Sequence, residues 1–143
     1  MLPSREGIIP MSRQYSSSHL VVLVVEDEWM LRDAIVHYLQ DAGCRVFEAE
    51  SGEDALAVLD GEQEIDVLLT DIRLNGGMSG WQVGEEVRRR DADMPVIYAS
   101  AQPVEPPRQV RGSLFFRKPY NPSEILRACK QLADARRADS THH

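Results

Sequence analysis

Leu20, Val21, Val22, Leu23, Val24 and Val25 form an unbroken apolar run that ends on three consecutive acids, Glu26, Asp27 and Glu28. A strand with one wet face alternates apolar and polar residues, whereas a short run without alternation reads as a strand covered on both faces. Such a strand sits inside a sheet with helices above and below it. The run is far below the roughly 18 apolar residues that a membrane-spanning helix requires.

The rest of the chain repeats the pattern. A helix is predicted after the acids, with Leu31, Ala34, Ile35, Tyr38 and Leu39 on one face and Gly43 at its C-terminal cap. Residues 45–49 read as a short strand. Ser51 to Asp54 resemble a capping box and open a helix carrying Ala55, Leu56, Val58 and Leu59. Residues 65–70 read as a third strand, and the glycine-rich stretch 75–80 leads to a helix with Val83 and Val87 inward. Residues 95–99 and 113–116 read as the fourth and fifth strands. The last helix has Asn121 as cap, Pro122 at its first position and Glu124 three residues after the cap. Its apolar stripe is Ile125, Leu126, Cys129, Leu132 and Ala133. Alternation of this kind predicts an α/β fold, a doubly wound five-stranded parallel sheet with helices on both faces.

The remaining composition narrows the function. The 143 residues suit one domain. We expect a tail over 1–18, the domain over 19–137 and a flexible C-terminal tail over 138–143. The net charge of −7 disfavours a domain built to grip nucleic-acid phosphates. Ile8 and Ile9 fall short of the apolar core of a signal peptide, so the expected location is the cytoplasm. Cys44 and Cys129 stand far apart in the chain, and we expect two free buried thiols in a reducing compartment. The run Arg88, Arg89 and Arg90 reads as a solvated helix end.

Right-handed crossovers put the C-terminal ends of all parallel strands at one edge, where doubly wound sheets hold their sites. Glu26, Asp27 and Glu28 follow strand one, Asp71 follows strand three, Ser100 follows strand four and Lys118 follows strand five. One acid at a strand end is commonly a helix cap. Four strand ends delivering polar groups to one rim are hard to explain that way. Acids brought together either raise a pKa or recruit a cation. Hard oxygen ligands with room for water favour Mg²⁺. A carboxylate, a divalent ion, a lysine and a hydroxyl form a cradle for a transferring phosphoryl group, whose chemistry needs chiefly positioning and charge neutralisation.

At this point the residues resemble the receiver domain of two-component response regulators, from about residue 19 to 137. The resemblance rests on the acids after strand one, Asp71, Ser100 and the Lys118-Pro119 pair. It implies a flavodoxin-like (βα)5 sheet with strand order 2-1-3-4-5 and a cis Lys118–Pro119 bond. It implies Asp71 as phosphoacceptor and Mg²⁺ (or Mn²⁺) held by Asp27, Asp71 and the backbone carbonyl of Arg73, with Glu26 helping through water. Ser100 and Lys118 would bond the phosphoryl group, and Phe115 would be the switch aromatic. The donor would be a sensor histidine kinase or a histidine phosphotransfer protein. The implied role is a signalling phosphoacceptor, not an enzyme acting on small substrates.

This chain also departs from that pattern. Arg73 to Met78 replace the usual segment after the acceptor. Pro103, Pro106 and Pro107 oppose a helix between strands four and five, so the fourth helix is expected to be short or missing. Single-domain receivers lacking that helix, which relay or drain phosphate, are somewhat similar. We expect output through protein contacts or phosphate flow, with no direct nucleic-acid or membrane partner, by a monomer or a weak homodimer. Trp29 and Met30, with Pro119, offer a docking surface beside the site, although core packing would account for the first two equally well. Two alternatives stay open. An Asp-nucleophile phosphatase would carry an acid where Arg73 stands. A degenerate receiver would be a binding module that is never phosphorylated.

Overall fold

The unbroken run does become an interior strand of a sheet, paired on both sides. The computed structural model describes residues 20–61, 63–103 and 108–141. In chain order the elements are β1 (Val21–Val25), α1 (Trp29–Asp41), β2 (Arg45–Ala49), α2 (Gly52–Leu59), β3 (Val67–Asp71), α3 (Gly80–Arg90), β4 (Val96–Ser100), β5 (Leu114–Arg117) and α4 (Pro122–Thr141). The five strands are all parallel, in the order β2-β1-β3-β4-β5. This is the flavodoxin-like order expected from the resemblance.

Two apolar layers flank the sheet. On one side Val22, Val24, Val67, Leu69 and Ile97 pack against Ile35, Val36 and Leu39 of α1 and Ile125, Cys129 and Ala133 of α4. On the other, Leu23, Val25, Leu68, Val96 and Tyr98 meet Ala55 of α2 and Trp81, Val83 and Val87 of α3. Alternate residues of β1 thus serve opposite layers, which is why the run cannot alternate with polar residues. Cys44 and Cys129 are buried and free.

The caps follow local chemistry. Ser51 Oγ accepts the Asp54 N–H at the start of α2, and Gly43 takes the left-handed conformation (φ 96°) just past α1. Asn121 Oδ1 accepts the Ser123 N–H at the start of α4. Ser79 and Gln82 form a full capping box at α3, which the glycine-rich reading of 75–80 passed over.

Several expectations need correction. Leu31 is 43% exposed, and Val36 takes the inward position on α1. Asp71 is the last residue of β3 and Ser100 the last of β4, so both lie one position inside the strand rather than after it. Asp66 lies below β3, where its carboxylate accepts the Val21 N–H at 2.8 Å and fixes the start of β1. Helix α4 continues to Thr141, past the boundary expected at 137. Between β4 and β5, residues 101–103 and 108–113 contain no helix. The expectations for residues 1–18, 104–107 and 142–143 concern positions outside the described residues.

Candidate functional site

Strand pairing decides what meets at the C-terminal rim. β1 lies between β2 and β3, so the acids following Val25 stand beside Asp71 at the end of β3. Asp71 pairs with Ala99 of β4, which brings Ser100 to the same edge. Ser100 pairs with Arg117 of β5, and Lys118 comes next. The Lys118 N–H donates to the Ser100 carbonyl at 2.9 Å, and the Lys118–Pro119 bond is cis.

The structure brings Glu26, Asp27, Asp71 and Lys118 together. One carboxylate oxygen from each of the three acids falls within 4.8 Å of the others. Lys118 Nζ lies 2.5 Å from Glu26 Oε1 and 3.4 Å from Asp71 Oδ2. Glu26 is only 4% exposed, and its other oxygen accepts the Glu28 N–H at 3.2 Å. The Glu26 carbonyl accepts from Arg32, which also pairs with Glu48. Asp27 Oδ2 accepts the Asn75 N–H at 3.0 Å.

Electrostatics follow from this crowding. Burial, then the negative charge of Glu26, push the Asp71 carboxyl from 3.8 up to about 7, against the opposing pull of Lys118. Burial pulls the Lys118 ammonium down, but its hydrogen bond to Glu26 and the charge of Asp71 outweigh that, and its pKa rises. Burial and the same two acids push the Tyr120 phenol up. Three acids therefore face one ammonium. A divalent cation is the chemical complement of that donor set, and these residues fit one: hard oxygens, close spacing and a net negative charge.

Other predicted residues are placed less centrally. Ser100 is 1% exposed and bonds to its own chain, donating to the Gln102 carbonyl at 3.0 Å and accepting the Gln102 N–H at 3.3 Å. Phe115 stands outward, 42% exposed. Arg73 is exposed at the start of the β3–α3 loop. Trp29 and Met30 are 66% and 64% exposed, so core packing does not account for them. Pro119 borders an apolar cavity of about 300 Å³ that also meets Leu31, Ala34, Ile35, Tyr120 and Pro122.

Sequence reasoning missed three neighbours of the site. Thr70 Oγ1 donates to the Asp71 carbonyl at 2.9 Å. Asn75 reaches Asp27 through its main chain, and Tyr120 feels the acids across the rim. A threonine directly before Asp71 was a readable signal. The other two depend on how the loops return. The arginine run on α3 is engaged within the fold: Arg88 with the Met94 carbonyl, Arg89 with Glu86 and Arg90 with Asp60.

A family model described as "Response regulator receiver domain" matches residues 22–130. Among solved structures, a response regulator receiver protein from Sinorhizobium medicae is 32% identical, with a TM-score of 0.77 over 82% of this chain and 96% of that one. Among curated proteins, a cyclic di-GMP phosphodiesterase of Thermotoga maritima is 33% identical over 112 residues, 76% of this chain and 29% of that protein. The response regulator SaeR of Staphylococcus aureus is 27% identical over 126 residues, 85% of this chain and 53% of that protein. The chain thus spans about half or less of the length of these curated relatives. Among the described residues, no helix is long and apolar enough to cross a membrane.

Proposed function

The chain belongs to the response regulator receiver domain family, and on that premise we propose that Asp71 accepts a phosphoryl group from the phosphohistidine of a sensor histidine kinase or histidine phosphotransfer protein. The observation that carries this reading is the meeting of three carboxylates within 4.8 Å under a single lysine. The role is a signalling phosphoacceptor within a phosphorelay, not turnover of small substrates.

An Asp71 carboxylate oxygen attacks phosphorus in line. The P–N bond to the donor imidazole breaks, and its electron pair leaves with the nitrogen. Asp71 must be ionised to attack, and at about 7 its carboxyl is poised near neutrality. Mg²⁺ or Mn²⁺, held by Asp27, Asp71 and the Arg73 carbonyl with Glu26 close by, would supply charge neutralisation for the phosphoryl oxygens. Lys118 then exchanges its bond to Glu26 for one to the phosphoryl group, and Ser100 gives up the Gln102 carbonyl for the same reason. Phe115 turns inward into the space that Ser100 vacates. Moving such a switch from 1:99 to 99:1 takes roughly 5.5 kcal/mol of differential binding. One charged hydrogen bond supplies about 1.5–3 kcal/mol, so Ser100 and Lys118 must act together. Trp29, Met30 and Pro119 form the surface on which the donor docks.

Incubation with acetyl phosphate and Mg²⁺ tests the reading by mass spectrometry. The expected result is a gain of one phosphoryl group that disappears in Asp71→Ala and when EDTA is present. Absence of any adduct on the intact protein would overturn it and leave a binding module.

A further inference from the structure

Asp27 is a half-buried member of the acidic cluster at the sheet rim, and it lies on the loop between β1 and α1, where no strand pairing constrains it. A carboxylate there has free rotation about two bonds and faces Glu26 and Asp71, both of which repel it. One hydrogen bond counters this: the main-chain N–H of Asn75 donates to Asp27 Oδ2 at 3.0 Å, across 48 residues of sequence. Gly76 follows with φ 100°, a left-handed conformation open to glycine at little cost, as the chain turns back toward α3. The full capping box of Ser79 and Gln82 anchors the far end of that turn.

We propose that Asn75 is a positioning residue for Asp27: its backbone amide holds the Asp27 carboxylate toward Asp71 and pre-orders it for the cation. This rests on the metal-assisted reading above. An oxygen that accepts one N–H retains a lone pair, and the second oxygen stays free, so the bond and a cation are compatible. Hydrogen bonds of this kind to ligating carboxylates, when removed, lower metal affinity about 10–100-fold. Because the donor is main chain, the side chain at 75 is irrelevant to it, whereas an imino acid abolishes it.

The test measures Mg²⁺ affinity of the intact, unphosphorylated protein by titration calorimetry. Asn75→Pro, which lacks the N–H, should bind Mg²⁺ about 10-fold more weakly or worse. Asn75→Ala, which keeps it, should bind as wild type does. Equal affinity in wild type and Asn75→Pro overturns the inference, as does an equal loss in Asn75→Ala. Should Asn75→Pro not fold, amide exchange in the wild type decides the matter. The Asn75 N–H should be protected, and Asp27→Ala should release it; an unprotected amide refutes the bond. A wild type that binds no Mg²⁺ removes the underlying functional reading as well, which separates that failure from the others.

Discussion

Replacing Asp71 by asparagine should stabilise the ion-free protein, by an amount that depends on pH. In the folded state the Asp71 side chain is 10% exposed and lies beside Glu26 and Asp27. Its carboxyl rises from 3.8 to about 7. At about 1.4 kcal/mol per tenfold change in proton affinity, ionising it in the fold costs on the order of 4 kcal/mol more than ionising it in the unfolded chain. The folded carboxyl holds its proton more tightly than the unfolded one. The penalty is therefore absent below about pH 4 and complete by about pH 8. Asparagine is neutral throughout and never incurs it.

The assay is urea unfolding of wild type and Asp71→Asn in EDTA, extrapolated to water at each pH. The variant's advantage should grow from about 2 kcal/mol at pH 5 to about 4 kcal/mol at pH 8. Saturating Mg²⁺ should then stabilise the wild type by mass action and narrow the gap. Equal stability at pH 8, or an advantage that does not change with pH, would refute the claim that charge crowding at the rim opposes folding.

Three further substitutions probe the same rim and its supports. Lys118→Met leaves Glu26 buried without its cation, and loss of a buried partner should cost about 3–5 kcal/mol in urea unfolding at pH 8. Gly80→Ala would place a Cβ 2.0 Å from the Asp71 carbonyl oxygen and 2.8 Å from Ile72 Cα. Backbone must move to admit it, so thermal unfolding should show a loss of about 1–3 kcal/mol together with slower labelling by acetyl phosphate. Tyr98→Phe removes the acceptor of the Val110 N–H, a bond of 3.3 Å. It should cost about 1 kcal/mol and speed exchange of the Val110 amide.

Much of this was legible because it depends on near neighbours in sequence. The run ending at Val25, the acids after it and the caps at Ser51 and Asn121 announce themselves within a few residues. Asp71, Ser100 and Lys118 were placed on one rim by topology alone, since parallel strands share an edge. What escaped depends on contacts between distant segments. Glu26 reads as a metal helper, yet in the fold it is the nearest partner of Lys118, 92 residues away. Nothing near Asp27 indicates that the Asn75 amide will arrive there. Leu31 and Val36 exchange roles because the apolar stripe of α1 is wide enough for either assignment, and only tertiary packing selects one. Ser79 and Gln82 stand at capping-box spacing and could have been read from the chain.

The β4–β5 connection shows how the fold covers its sheet where proline opposes a helix. Tyr98 is fully buried on β4, its ring tilted 59° to that of Trp81 with centroids 4.7 Å apart. A Cβ at Gly84 of α3 would lie 2.2 Å from the Tyr98 hydroxyl, so the glycine is what lets the phenol pass beneath the helix. That hydroxyl then accepts the Val110 N–H and draws the connection down over β4. Arg108 reaches Glu85 of α3 at 2.8 and 3.1 Å, but both side chains are about half exposed and a surface pair contributes little. Among the described residues, the buried tyrosine therefore attaches the connection more firmly than the surface ion pair does. One strand further out the cover ends: Phe115 pairs with Tyr98 on the same face of the sheet, yet lies open to solvent. In the proposed switch, an inward turn of Phe115 would bury apolar surface of a side chain that is 42% exposed here, a term that would favour the turned-in position. The two hydrogen bonds between Ser100 and Gln102 are, in that proposed switch, the contacts that a phosphoryl group on Asp71 would compete for.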